Sequence, residues 1–163
     1  RRLAKALGWV FMDSDVIIMA KHGMTVSDIV SNLGWEKFRS MEKAVIRELA
    51  EMDGIVVATG GGAVLDSDNV AHMKKNGHAL IWLTAESETI RRRMENDTET
   101  QGLRPALTEM PIEAEIEKTL NQRNPLYRAA SDLCIETDGY TVNRICDNIL
   151  EQLRELHAGE FIW

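Results

Sequence analysis

The sequence has 163 residues, 44% of them hydrophobic, which is enough to form one domain with a buried core. No apolar run is long enough to span a membrane, and the opening segment lacks the long apolar core of a secretory signal peptide. A formal net charge of −7 argues against non-specific nucleic-acid binding, but small anionic substrates bind through local charge. The two cysteines are too few for a disulfide scaffold, so we expect reduced thiols in a cytoplasmic protein.

Predicted strands alternate with predicted helices along the chain. The strands, all short and apolar, are expected at about 9–12, 54–59, 78–83 and 133–136. Thr25 is expected to cap one helix, and two amphipathic helices are predicted at about 36–52 and 142–156. This alternation predicts an α/β domain with a mostly parallel sheet, in which the β-branched run 54–59 is buried on both faces.

The acidic triplet Asp13-Ser14-Asp15 follows the first predicted strand. Because side chains alternate along a strand, Asp13 and Asp15 are expected on the same side of it. There they could hold Mg²⁺ through water, or accept a proton from a substrate hydroxyl. The alternative is a solvated turn with an aspartate as the helix N-cap, and the triplet alone favours that simpler interpretation.

Gly60, Gly61 and Gly62 follow directly on the second predicted strand. Three glycines let the backbone approach a ligand closely and direct its N–H groups at an anion. A tight strand-to-helix turn usually needs a single glycine, so the triplet favours a binding role. Parallel α/β sheets bind their ligands beyond the carboxyl ends of the strands, which is where both triplets are expected.

Arg39 and Arg123 both belong to predicted helices. The planar fork of Arg39 suits a carboxylate or a phosphate, although a surface ion pair with Glu36 or Glu42 is the commoner arrangement. Arg123 stands two residues before Pro125, which is expected to end the helix and fix the chain that follows.

Further arginines flank a polar segment. Arg91, Arg92 and Arg93 form a run that is in part a solvated helix face. The segment 95–102 has no apolar period and is predicted to be a mobile loop. Arg104 follows this loop, where closure would bring a positive charge over a phosphate.

Seven motifs, in the same order and spacing, resemble those of the shikimate kinase family over nearly the whole chain. They are RRLAKALG, FMDSD, GMTVSDI, FRSMEK, ATGGGAV, LRP and RNPLYRAASD. The resemblance implies a three-layer α/β/α fold of the P-loop nucleoside-monophosphate-kinase type. It also implies a single kinase domain, 1–163, with a shikimate-binding region at about 15–42 and a lid at about 95–108.

The resemblance implies a role for each residue of the acceptor site. Asp15 matches the aspartate that contacts the shikimate hydroxyls and assists the attacking one. Arg39 and Arg123 match the pair that holds the shikimate carboxylate. Gly60, Gly61 and Gly62 match the glycine motif that lines the ring, with Gly61 offering a backbone N–H.

The resemblance also assigns residues to the ATP side. Asp13 matches an aspartate near Mg²⁺, which it contacts through water. Arg104 matches the lid arginine that reaches the transferred phosphate, and Arg92 matches the arginine that packs against adenine, with a neighbouring arginine as the alternative. The implied reaction transfers the γ-phosphate of ATP to the 3-hydroxyl of shikimate, within aromatic amino-acid biosynthesis, in a monomeric enzyme.

Three features depart from the family pattern. Ser14 stands where threonine is common, and the lid segment is somewhat long and acidic. No Walker A motif, GxxxxGK[ST], occurs in the sequence, so we expect the natural protein to carry an upstream strand and loop of about 20 residues. The alternatives are another P-loop small-molecule kinase, such as a gluconate kinase, or a non-catalytic relative of these kinases.

Overall fold

Helices and strands alternate along the chain in a computed structural model, which describes residues 1–97 and 111–157. The strands are β1 (Val10–Asp13), β2 (Ile55–Ala58), β3 (Ile81–Thr84) and β4 (Leu133–Glu136). The α-helices are α1 (Arg2–Leu7), α2 (Ser14–His22), α3 (Val26–Leu49), α4 (Ser67–Lys74), α5 (Ser87–Asn96), α6 (Ile112–Ala130) and α7 (Val142–His157). Short 3₁₀ helices cover Ala63–Leu65 and Lys75–Gly77. Within the described residues, no helix is both long enough and apolar enough to cross a membrane.

The strands pair in parallel, as the sequence predicts, and do so in two separate two-stranded sheets of the described chain. β1 pairs with β2, and β3 pairs with β4. Helices fill both crossovers, because parallel neighbours cannot be joined by a tight turn. The residues of β2 are half-buried, so the expected burial on both faces is not met. Asp13 lies opposite Ala58, and this register brings the acidic and glycine triplets to the same sheet edge.

The core is built mainly on α3. Thr25 caps this helix, since its hydroxyl accepts a hydrogen bond from the Asp28 N–H at 3.1 Å. Gly34 interrupts the helix with φ of 83° and ψ of 164°, values that glycine adopts at little cost. Beyond this kink, one face of α3 is buried with α2, and the side chains involved are Ile18, Phe38, Met41, Val45 and Leu49. The buried face holds the polar residues of α3 in fixed positions beside β1 and β2.

Pro125 lies inside α6, so the prediction that it ends the helix is wrong. Proline removes one helical hydrogen bond, to the carbonyl of Asn121, but the helix continues to Ala130. Ile116 before the proline and Ala130 after it are both buried. Arg123 and Tyr127, four residues apart, consequently lie on the same face of one helix.

Candidate active site

The two carboxylates of the acidic triplet have different surroundings. Asp13 is the N-cap of α2, where its Oδ1 accepts hydrogen bonds from the N–H of Asp15 at 3.0 Å and of Val16 at 3.2 Å. The expectation that Asp13 and Asp15 leave a strand on the same side is wrong, because α2 begins at Ser14 and ends the strand alternation. The N-cap interpretation is therefore confirmed for Asp13.

Ser14 and Asp15 face the glycine triplet across the sheet edge. The buried hydroxyl of Ser14 accepts a hydrogen bond from the Gly60 N–H at 3.3 Å. A Cβ built on Gly60 would lie 3.3 Å from Asp15 Oδ1. The two triplets that the sequence singles out are thus in direct contact.

Each glycine of the triplet leaves room for a different side chain. A Cβ on Gly60 would lie 3.1 Å from the carboxylate of Glu42 and 3.3 Å from that of Asp15. A Cβ on Gly61 would lie 2.9 Å from the hydroxyl of Tyr127. A Cβ on Gly62 would overlap the guanidinium of Arg39, reaching within 2.5 Å of its Cζ. The triplet does not use the positive φ that favours glycine. These positions need glycine for space rather than for backbone conformation.

Arg39 is held by an ion pair and by two aromatic rings. Its Nη1 lies 2.7 Å from Oε2 of Glu42, whose side chain is fully buried. The guanidinium carbon lies 5.1 Å from the centre of the Trp35 ring and 5.3 Å from that of Phe38. These cation–π contacts and the ion pair fix the direction of the guanidinium. The ion pair with Glu42 expected at the surface therefore forms in the protein interior.

Glu42 is the most deeply buried acid of this region. Burial raises the pKa of its carboxyl, the nearby Asp15 adds to the rise, and Arg39 opposes it. Its second oxygen, Oε1, accepts no hydrogen bond from any described residue. This oxygen lies beside Gly60, at the point where the acidic and glycine triplets meet.

A cavity of about 350 Å³ opens between α3 and α6. Its lining residues are Trp35, Arg39, Leu65, Lys118, Thr119, Gln122 and Arg123. The structure thus brings together the two arginines that the family resemblance assigns to one carboxylate. Two arginines and one lysine among the lining residues favour a small anion.

The arginine run on α5 divides into three different environments. Arg91 forms ion pairs with Glu88 and Glu95, while Arg93 donates hydrogen bonds to the hydroxyl and the carbonyl of Thr137 at 2.8 and 2.9 Å. The side chain of Arg92 is exposed and makes no hydrogen bond or ion pair with the described part of the chain. Of the three, Arg92 is the one whose guanidinium can turn towards a ligand without breaking a contact seen here.

Some predicted residues cannot be placed. Arg104 and positions 98–108 of the predicted lid lie outside the described residues. Over the described ranges, no three His, Cys, Asp or Glu side chains cluster as metal ligands. The water-mediated role of Asp13 towards Mg²⁺ therefore stays a prediction.

From the sequence, Glu42 is expected only as a surface ion-pair partner of Arg39, and Tyr127 is not singled out. A signal for Glu42 exists, because an acid four residues after Phe38 interrupts the apolar face of α3 at a buried position. Tyr127 carries a weaker signal, its placement one helical turn after Arg123. Its hydroxyl donates a hydrogen bond of 2.6 Å to the carbonyl of Gly61.

Comparison with known proteins decides the family. The family model for shikimate kinase matches residues 1–154. The chain belongs to the shikimate kinase family. It is 36% identical to the shikimate kinase of Syntrophus aciditrophicus, over 94% of this chain and 83% of the relative, and 35% identical to that of Thermodesulfovibrio yellowstonii, over 97% and 88%. Members of this family are ATP-dependent phosphotransferases, and this chain is one of them.

Solved structures agree with that assignment. The shikimate kinase of Acinetobacter baumannii in complex with shikimate superposes with a TM-score of 0.83 at 30% identity, covering 98% of this chain and 84% of that one. The shikimate kinase of Bacteroides thetaiotaomicron gives a TM-score of 0.80 at 25% identity, over 95% and 87%. The predicted fold class, an α/β domain of the P-loop kinase type, is confirmed.

Proposed function

We propose that this chain transfers the γ-phosphate of ATP to the 3-hydroxyl of shikimate, and that the ring binds between the glycine triplet and the cavity that Arg39 and Arg123 line. The observation that carries the proposal is the convergence of Asp15, Arg39 and Arg123 on the glycine triplet. Guanidinium or carboxylate atoms of all three lie within 3.6 Å of Cβ positions built on Gly60, Gly61 or Gly62. A ring with a carboxylate and several hydroxyls matches this set of ligands.

Arg39 and Arg123 hold the shikimate carboxylate. Their guanidiniums reach the cavity from two different helices, so they can contact a carboxylate from two directions. Arg39 is oriented before substrate arrives, because Glu42, Trp35 and Phe38 fix its position. Preorganisation of this kind lowers the entropy lost on binding.

The glycine triplet lines the ring on the side of the hydroxyls. Gly60 uses its N–H internally, on Ser14, so the N–H groups of Gly61 and Gly62 are the ones left for substrate among the described contacts. The missing side chains also allow the ring to approach the backbone closely. Gly61 keeps its proposed role as a donor to shikimate.

Asp15 orients the attacking hydroxyl and accepts its proton as the bond to phosphorus forms. Phosphoryl transfer depends mainly on alignment and charge neutralisation, and a carboxylate held beside the substrate hydroxyl supplies the first of these. Arg104 would neutralise charge on the transferred phosphate, and Arg92 would pack on adenine.

The residues of the described chain fit Mg²⁺ only through water. Asp13 uses Oδ1 to cap α2, while its Oδ2 accepts no hydrogen bond from a described residue. A single carboxylate oxygen suits a water-mediated contact to an ion that is bound chiefly by ATP phosphates. When bound, Mg²⁺ neutralises phosphate charge during the transfer.

We further propose that the enzyme is a cytoplasmic monomer. Cys134 and Cys146 are both free thiols, as expected in a reducing compartment. The proposed acceptor residues all come from one chain, so the site needs no partner subunit. Light scattering coupled to size-exclusion chromatography should give the mass of one chain.

A coupled assay of ADP release on the full-length protein tests the function. We expect turnover with shikimate and ATP–Mg²⁺, and none above background with gluconate. Gluconate turnover without shikimate turnover would identify a different small-molecule kinase. Calorimetry that detects no heat of ATP–Mg²⁺ binding to the folded protein would instead identify a non-catalytic relative.

A further inference from the structure

Tyr127 makes a hydrogen bond that the proposed reaction does not use. Its hydroxyl on α6 donates to the Gly61 carbonyl at 2.6 Å. The acceptor belongs to the middle glycine of the triplet, in the loop that follows β2. The Tyr127 side chain on α6 therefore holds the glycine triplet, which has no side chains of its own.

This hydrogen bond also fixes the orientation of the N–H group next to the Gly61 carbonyl. The Gly61 carbonyl and the Gly62 N–H belong to the same planar trans peptide unit, so they point in opposite directions. Because Tyr127 on α6 holds the Gly61 carbonyl, the Gly62 N–H points away from α6. Without this restraint, three consecutive glycines would sample many backbone conformations.

The Tyr127 ring is itself anchored. It packs on Trp82 of β3, with ring centres 5.7 Å apart and planes inclined by 34°. Tyr127 thus connects the glycine loop after one sheet to a strand of the other sheet. It also lies one turn from Arg123, and both side chains approach Gly61.

We propose that Tyr127 is a positioning residue for the acceptor site. It holds the peptide between Gly61 and Gly62 in the orientation that shikimate needs, and it sets the distance between this loop and Arg123. The inference rests on the proposed function, since it assigns the glycine triplet to the shikimate ring. Tyr127 touches no reacting atom, so its effect is on binding of the acceptor rather than on the transfer step.

Tyr127→Phe tests the proposal, because it removes the hydroxyl and keeps the ring that packs on Trp82. In the full-length protein we expect the KM for shikimate to rise roughly 3- to 10-fold, the effect of losing one hydrogen bond. The kcat and the KM for ATP should change by less than about twofold. Tyr140→Phe is the matched control, because Tyr140, the other tyrosine, is 55% exposed and should leave all three constants unchanged.

A second variant tests the contact itself. A Cβ at Gly61 would lie 2.9 Å from the Tyr127 hydroxyl, so Gly61→Ala should raise the KM for shikimate about tenfold. In the Tyr127→Phe background, where the hydroxyl is gone, the same change should add less than about threefold. Such non-additivity requires that the two residues act through the same contact.

Three results would overturn the inference. An unchanged shikimate KM in Tyr127→Phe removes the positioning role. A lower kcat with similar increases in the KM for shikimate and the KM for ATP, together with a lower Tm, would indicate a general structural role instead. A wild-type protein that binds ATP–Mg²⁺ but does not phosphorylate shikimate would overturn the proposed function, and this inference with it.

Discussion

Two arginine–glutamate pairs of this chain share their spacing and their contact distance but differ in burial. Arg39 and Glu42 on α3 are three residues apart with a nitrogen–oxygen distance of 2.7 Å, and so are Glu88 and Arg91 on α5. Both arginine side chains are 28% exposed, whereas Glu42 is 0% exposed and Glu88 is 69% exposed.

The difference in burial reverses the direction in which the pKa of the glutamate shifts. The pKa of Glu42 is raised, because burial penalises its charge more than Arg39 favours it. The pKa of Glu88 is lowered, because in solvent the hydrogen bond from Arg91 dominates. The α3 pair therefore carries an energetic cost of burial that the α5 pair, an ordinary surface contact, does not carry.

The largest expected effect is at Asp15, the carboxylate that adds to the raised pKa of Glu42. Asp15→Asn should lower kcat by roughly 10²- to 10⁴-fold, because it removes the group that orients and deprotonates the attacking hydroxyl. Steady-state kinetics with a check of the circular dichroism spectrum measures this. Asp147→Asn, at an exposed position of α7, is the control and should keep wild-type turnover. Full activity in Asp15→Asn would exclude Asp15 from the reaction.

The next effect compares the two arginines directly. Arg39→Ala should raise the KM for shikimate about 10- to 100-fold, since hydrogen bonds to a charged group are among the stronger ones. Arg91→Ala, with the same spacing to its glutamate and the same exposure, should leave that KM within about twofold. Similar changes in both variants would show that the difference between the two pairs has no functional meaning.

The smallest effect concerns pH and Glu42. A carboxyl with a raised folded-state pKa stabilises the fold below its unfolded pKa, and this stability is lost as pH rises through the folded pKa. Glu42→Gln should therefore gain stability relative to wild type as pH increases from about 4 to 7, near and above the ordinary pKa of glutamate. Urea unfolding at both pH values measures the change.

Glu88→Gln is the control for this pH series. The pKa of Glu88 is lowered, so its contribution is present above the unfolded pKa and is lost as pH falls through the folded pKa. The Glu88→Gln difference should consequently have the opposite slope, and salt should reduce it. A Glu42→Gln difference that does not vary with pH would contradict the assigned shift.

The sequence predicts the elements better than it predicts their ends. β4 has its expected bounds, but β3 begins at Ile81 rather than near His78. The Leu80 N–H donates instead to the side chain of Asp132, which is distant in sequence, at 2.8 Å, and this bond takes the place of a strand partner. Long-range hydrogen bonds of this kind leave no periodic signal in the sequence.

The sequence predicts the site residues that belong to recognisable motifs. It predicts less well the residues whose positions depend on how the helices pack. The convergence of Asp15, Arg39 and the glycines follows from their places at strand ends and on a neighbouring helix. The burial of Glu42 and the contact of Tyr127 with Gly61 depend on how α3 and α6 pack, and α6 also continues through Pro125. Local chemistry at Pro125 predicts the opposite outcome.

The glycine triplet has a consequence for how sequences of this kind can diverge. Each of its three positions faces a different neighbour: Gly60 faces the two carboxylates, Gly61 faces Tyr127, and Gly62 faces Arg39. A change to alanine is thus expected to require a compensating change at a specific distant position, and a different one for each glycine. In an alignment, substitutions at Gly61 should occur together with loss of the Tyr127 hydroxyl, and Gly62 should vary least.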